Sequence, residues 1–140
     1  MPRSDGIPLA EAAPKALSRV EGAITQQGQD AILRHLVKLR ASQMNGCAFC
    51  VRMHLAEARE DGESNERLDR LVVWRHVDDF TAAERAALAW TEALAELRPG
   101  TDYGVMRSSL REYYSDSEIA SLTATVAMIN LWNRLHVSNH

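Results

Sequence analysis

Both cysteines of the chain fall inside Gly46-Cys47-Ala48-Phe49-Cys50-Val51-Arg52-Met53-His54, and a histidine follows the second cysteine by four residues. On a helix, steps of three and then four bring Cys47, Cys50 and His54 to one face. Disulfide chemistry needs a thiolate nucleophile, a second sulfur to resolve the intermediate and a group to carry the proton, and this stretch holds all three. A cysteine at a helix N-terminus meets free N–H groups and the positive end of the dipole, so Cys47 is expected to ionise more readily than a free thiol. Cys50 lies one turn deeper, where His54 is spaced to accept its proton directly or through a water.

A turn centred near Asn45 places His35, ten residues before it, and His54, nine after it, at similar heights on an antiparallel helical hairpin. At about 1.5 Å of rise per residue the two differ by only a couple of ångströms. His35 is therefore a second candidate for the same site, at the edge of an apolar stripe beside Leu39. Two blander readings stay open. The cysteines pack equally well as inert small hydrophobes, with the histidines as structural side chains. His35, Cys47, Cys50 and His54 also make a possible Cys₂His₂ set for tetrahedral zinc, although structural zinc usually holds domains that lack a core of their own.

This chain is long enough to have such a core. Its 140 residues fit one domain, residues 1–140, with about 1–8 expected to be flexible. Hydrophobic residues make up 46% and charged residues 25%, the balance of an ordinary globular protein. Sixteen basic against nineteen acidic residues give a formal charge of −3 with no basic run, which leaves nucleic-acid binding without support. Residues 1–20 lack the apolar stretch of a secretory signal and nothing reaches membrane-spanning length, so no membrane association and a cytoplasmic location are expected. In a reducing compartment a Cys-x-x-Cys pair serves redox or metal chemistry sooner than crosslinking.

The elements that must position these residues read as all helical. Strand-like alternation is absent, whereas Ala, Leu, Glu and Arg dominate long periodic segments. Helices are expected over about Leu9 to Thr25, Gln29 to Gln43 and Cys47 to Asp61-Gly62, the last two joined by Met44-Asn45-Gly46 into the hairpin that carries the cysteines. Ser64 opens a fourth helix reaching Trp74. Thr81 with Glu84, and Ser115 with Glu118, form capping boxes for a fifth helix to about Leu97 and a long last helix to about Leu135, with a short one near Val105 to Tyr113 between them. Trp74, Trp90 and Trp132 read as core or interface anchors, and Asn130, Asn133 and Arg134 as polar groups at a subunit contact or on a solvated face.

Leu39-Arg40-Ala41-Ser42-Gln43-Met44-Asn45-Gly46-Cys47-Ala48-Phe49-Cys50, followed by His54, resembles the signature of the alkylhydroperoxidase D and carboxymuconolactone decarboxylase superfamily. The similarity continues through Trp74-Arg75, Phe80-Thr81, Glu84 to Trp90 and Ile129-Asn130-Leu131-Trp132-Asn133-Arg134. It implies a single-domain helical bundle of the alkylhydroperoxidase D-like type that assembles into homo-trimers or homo-hexamers. It further implies thiol-dependent reduction of a small-molecule hydroperoxide, with Cys50 peroxidatic, Cys47 resolving and His54 a relay histidine. A dithiol or lipoyl-bearing protein would reduce the disulfide, and no cofactor or metal is called for. The family pattern commonly has a glutamate where this chain has His35, and alkylhydroperoxidase D itself has a histidine where this chain has Phe49. A histidine at 35 accepts protons but adds no negative charge to raise the basicity of His54. The decarboxylase branch typically lacks the cysteine pair, so lactone decarboxylation is not expected. The runner-up on the same scaffold is a non-catalytic redox sensor or assembly module, in which the disulfide changes packing instead of turning over.

Overall fold

The computed structural model describes residues 6–140, so the expectation of a flexible start lies, for residues 1–5, outside the described residues. Residues 6–8 form no helix, and the backbone of Ile7 is held by Asn139 through hydrogen bonds at both its N–H and its carbonyl. Seven α-helices follow: α1 Ala12–Thr25, α2 Ala31–Met44, α3 Ala48–Glu60, α4 Asn65–Arg70, α5 Ala82–Glu96, α6 Tyr103–Leu110 and α7 Asp116–Val137. No strand occurs among the described residues, and the all-α expectation holds.

Local chemistry sets most of the boundaries. Both expected capping boxes are complete, Thr81 with Glu84 opening α5 and Ser115 with Glu118 opening α7. The fourth helix departs from expectation: α4 stops at Arg70 and the chain tightens into a 3-10 segment over Leu71–His76, with Val73 off helical geometry. The freed carbonyls of Trp74, Arg75 and Val77 all accept from the guanidinium of Arg85 on α5, which replaces the bonds a continued helix would have made.

Helix α2 is the central element, packed against α3, α5 and α7. Its Leu33 and Val37 enter one buried cluster with Trp90, Leu122 and Val126, while Leu36 and Leu39 enter a second with Leu71, Trp74 and Leu88. Trp74 and Trp90 are thus core anchors, as expected. Helix α1 has no buried residue and lies against α7.

The α2–α3 connection is tightly determined. Gly46 takes a positive φ of 65°, Gly46 N–H donates to the Gln43 carbonyl and Cys47 N–H to the Ser42 carbonyl, which together close α2 in a Schellman motif. Cys47 is therefore both the residue that ends this motif and the N-cap of α3. The turn is clamped onto α7 by amides. Asn45 Nδ2 donates to Asn130 Oδ1 at 2.8 Å and to Asn133 Oδ1 at 2.9 Å, and Asn133 Nδ2 donates to Ser42 Oγ at 3.0 Å. Asn130 and Asn133 are accordingly partners within the chain and not the groups of a solvated face, and Asn133 is fully buried.

Truncating Asn133 to alanine removes one hydrogen bond from Ser42 and one from Asn45, each of which keeps another partner, so the two losses typically cost roughly 0.5–1.5 kcal/mol each. Urea unfolding of Asn133→Ala is expected to show a lower midpoint with an unchanged slope, and an unaltered midpoint would mean the clamp contributes nothing.

Candidate functional site

The hairpin brings the two sulfurs together: Cys47 and Cys50 are joined by a disulfide, with Cα atoms 5.3 Å apart. As N-cap, Cys47 offers its Sγ to the backbone N–H of Cys50 at 3.3 Å, the place where a serine or aspartate would ordinarily satisfy the first turn. Both cysteines are buried, and each borders a different cavity. Cys50 lines a cavity of about 460 Å³, whereas Cys47 lines a separate shallow hollow with Gly46, Ala48, Val51, Arg52 and Leu55. The sulfurs are distinct in surroundings as well as in position.

The Cys50 cavity is walled by Phe49, Met53, Ile129 and Trp132, with His54, His136, Lys38, Glu57 and Glu21 supplying its polar groups. Helix α1 closes one side through Glu21, which accepts from Trp132 Nε1 at 3.1 Å and lies 3.6 Å from Lys38 Nζ. Trp132 is thus a wall of the cavity, pinned by α1. Phe49 stacks on His136 of α7 with ring centroids 4.4 Å apart, so a histidine stands beside position 49 although it comes from the last helix.

His54 lies one turn after Cys50 on α3 and lines the same cavity. Its side chain is 5% exposed, and neither ring nitrogen has a hydrogen-bond partner among the described residues. Glu57 Oε2 stands 3.5 Å from His54 Nδ1, an electrostatic contact just beyond ordinary hydrogen-bond length. Burial pushes the His54 imidazole below its ordinary value; Glu57 opposes that push, and Lys38 and His35 reinforce it. A neutral imidazole is the form that can accept a proton.

His35 is buried at the edge of α2, as its place in the apolar stripe implies, but it is not among the residues lining the Cys50 cavity. It meets α3 further along, with Nε2 2.6 Å from Asp61 Oδ2 and Nδ1 3.9 Å from Glu57 Oε2. The two histidines therefore converge on Glu57 and do not touch the sulfurs together. The four residues of the hypothetical zinc set are spread accordingly, and no group of three or more His, Cys, Asp or Glu among the described residues is arranged to hold a metal ion. No described helix is long and apolar enough to cross a membrane. Glu57 and Asp61 were missed in the sequence reading, although their spacing after His54, three and seven residues, keeps them on its helical face.

An all-helical bundle that sets a Cys-x-x-Cys at a helix start beside a cavity defines a class of thiol-bearing helical proteins. The chain belongs to the carboxymuconolactone decarboxylase family, whose pattern matches residues 11–93. The Bacillus subtilis (strain 168) protein YdfG, itself uncharacterized, is 32% identical over 130 residues, covering 93% of this chain and 88% of its own. Among solved structures, the Agrobacterium tumefaciens protein ATU0492, described as a protein of unknown function and a candidate AhpD antioxidant-defence protein, superposes with a TM-score of 0.87. It is 38% identical, over 93% of this chain and 89% of its own. The debrominase Bmp8 shares the fold, with a TM-score of 0.76 and 21% identity over 87% of this chain and 66% of that one.

The lowered His54 midpoint has a consequence for stability. Between that midpoint and the ordinary value of 6.5, the unfolded chain binds a proton that the folded chain does not, so stability falls as the pH drops through this window. His136, lowered first by burial and then by His140, contributes with the same sign. Thermal unfolding of His54→Ala is expected to depend less steeply on pH just below 6.5 than that of the wild type, whereas equal slopes would contradict a neutral buried imidazole.

Proposed function

We propose that the protein reduces hydroperoxides through its cysteine pair. The reading is carried by one observation: two cysteines bonded to each other, the second of which lines a partly apolar cavity together with a buried histidine. In the reduced protein, His54 takes the proton of Cys50, and the thiolate attacks the terminal oxygen of the hydroperoxide. The O–O bond breaks, the alkoxide leaves as the alcohol on gaining a proton, and Cys50 becomes a sulfenic acid. The thiolate of Cys47, favoured by the start of α3, then attacks the Cys50 sulfur; hydroxide departs as water and the disulfide forms.

These roles follow the surroundings of the two sulfurs. Cys50 shares its cavity with the base, and the walls of Phe49, Met53, Ile129 and Trp132 favour a substrate carrying an organic group. Cys47 borders the separate hollow beside Arg52 but is itself fully buried, so a dithiol or lipoyl-bearing reductant would attack there only once the start of α3 opens, and would then regenerate both thiols. The likeness to an AhpD antioxidant-defence candidate supports an antioxidant role.

Steady-state hydroperoxide consumption with a dithiol reductant tests the assignment. Cys50→Ser is expected to abolish it, and His54→Ala to slow it by about 10²- to 10⁴-fold, the usual worth of a positioned general base. Cys47→Ser is expected to stop after one turnover with a sulfenic acid trapped at Cys50. Full activity in Cys50→Ser would end the proposal.

A further inference from the structure

The sequence offers no carboxylate at position 35 to support His54, but the fold supplies one from the other helix of the hairpin. We propose that Glu57 is the positioning residue of the site: its carboxylate accepts the Nδ1–H of His54, turns Nε2 into the proton acceptor for Cys50, and stabilises the imidazolium that results. This deepens the thiol-site reading above and rests on it.

Geometry carries the inference. Cys50, His54, Glu57 and Asp61 follow one another by four, three and four residues, so at 100° per residue they form one narrow stripe along α3. Across from the stripe stands His35 on α2. Glu57 Oε2 lies between the two rings, 3.5 Å from His54 Nδ1 and 3.9 Å from His35 Nδ1. His35 is fixed from behind, because its Nε2 donates to Asp61 Oδ2 at 2.6 Å. Both Nδ1 atoms are buried without a hydrogen-bond partner among the described residues, and buried polar atoms are rarely left so. The 3.5 Å between Glu57 Oε2 and His54 Nδ1 is a few tenths of an ångström beyond an ordinary N–H···O bond, and Glu57 is half exposed and held by no other hydrogen bond among the described residues.

Exposure rises along the same path: 5% for the His54 side chain, 10% for His35, 43% for Glu57 and 51% for Asp61. The base is thus dry while Glu57, the carboxylate beside it, reaches solvent, where protons can be exchanged. The other charged groups around His54 do not supply this function. Lys38 on α2 opposes its protonation and is itself faced by Glu21 of α1, and His136 of α7 is a base, not a counter-charge. Glu57 is the group whose charge opposes both burial and Lys38, without overcoming them.

Two measurements on reduced protein test this without any hydroperoxide. Nitrogen-15 NMR of the wild type is expected to find neutral His54 with its proton on Nδ1, and a proton on Nε2 would overturn the proposal. In a Cys47→Ser background, Glu57→Gln is expected to shift the His54 midpoint further down and to slow Cys50 alkylation by iodoacetamide near neutral pH by roughly tenfold, the equivalent of one pKa unit. Glu57→Asp, which keeps the charge, is expected to recover part of the rate. Unchanged midpoint and rate in a folded Glu57→Gln protein would overturn the role of Glu57. Failure of hydroperoxide turnover with these effects intact would instead remove the peroxidase reading and leave the Glu57–His54 pair standing.

Discussion

The chemistry of this hairpin depends on a buried amide clamp. Asn133 is fully enclosed by α2 and the α2–α3 turn, and its two polar ends are both used, one by Asn45 and one by Ser42. A buried amide with matched partners specifies one arrangement, because any other register leaves donors and acceptors unpaired. The consequence is felt at Cys47. Its backbone closes α2, its side chain caps α3, and its sulfur is thereby held where Cys50 can bond to it. A residue with three structural duties has little freedom left, so its sulfur is held in one place relative to Cys50.

Around this fixed point the site is graded from dry to wet. The sulfurs and His54 belong to the packed interior by exposure, but one wall of that interior is a cavity instead of a core cluster. Burial alone would leave His54 an isolated neutral ring. Glu57, one turn further on and half exposed, restores a negative charge next to it at little desolvation cost. Helix α1 completes the enclosure. It contributes nothing buried of its own, yet Glu21 ties Trp132 and faces Lys38, so an otherwise peripheral helix forms the side of the cavity.

Much of this was legible in the sequence. The helical character, the two capping boxes, the break at Asn45-Gly46 and the N-terminal placement of Cys47 are all decided within a few residues, where periodicity and cap chemistry operate. The shared face of Cys50 and His54 follows from spacing on a single helix. What escaped were facts of pairing between elements. The fourth helix breaks at Arg70 because Arg85, from α5, satisfies the carbonyls beyond it. Asn130 and Asn133 turn inward because Asn45 and Ser42 stand opposite them, a relation that no pattern within α7 reveals. His35 was expected level with His54, but it meets α3 three to seven residues further along, where its partners are the carboxylates of Glu57 and Asp61 and not the sulfurs. Glu57 shares the wheel face of His54, but a glutamate on a helix is ordinarily a solvated one, and the histidine that it meets from across the hairpin belongs to α2.

The central claim is that the two sulfurs cycle between thiol and disulfide at the expense of a peroxide bond. Intact-mass measurement of fully reduced protein, before and after one equivalent of an organic hydroperoxide, examines it most directly. The expected result is rapid loss of two hydrogen atoms, disappearance of both labelable thiols, and a peptide map joining Cys47 to Cys50. Two thiols still free after the hydroperoxide has been given time to react, or oxygen added irreversibly to Cys50 with no disulfide, would contradict it.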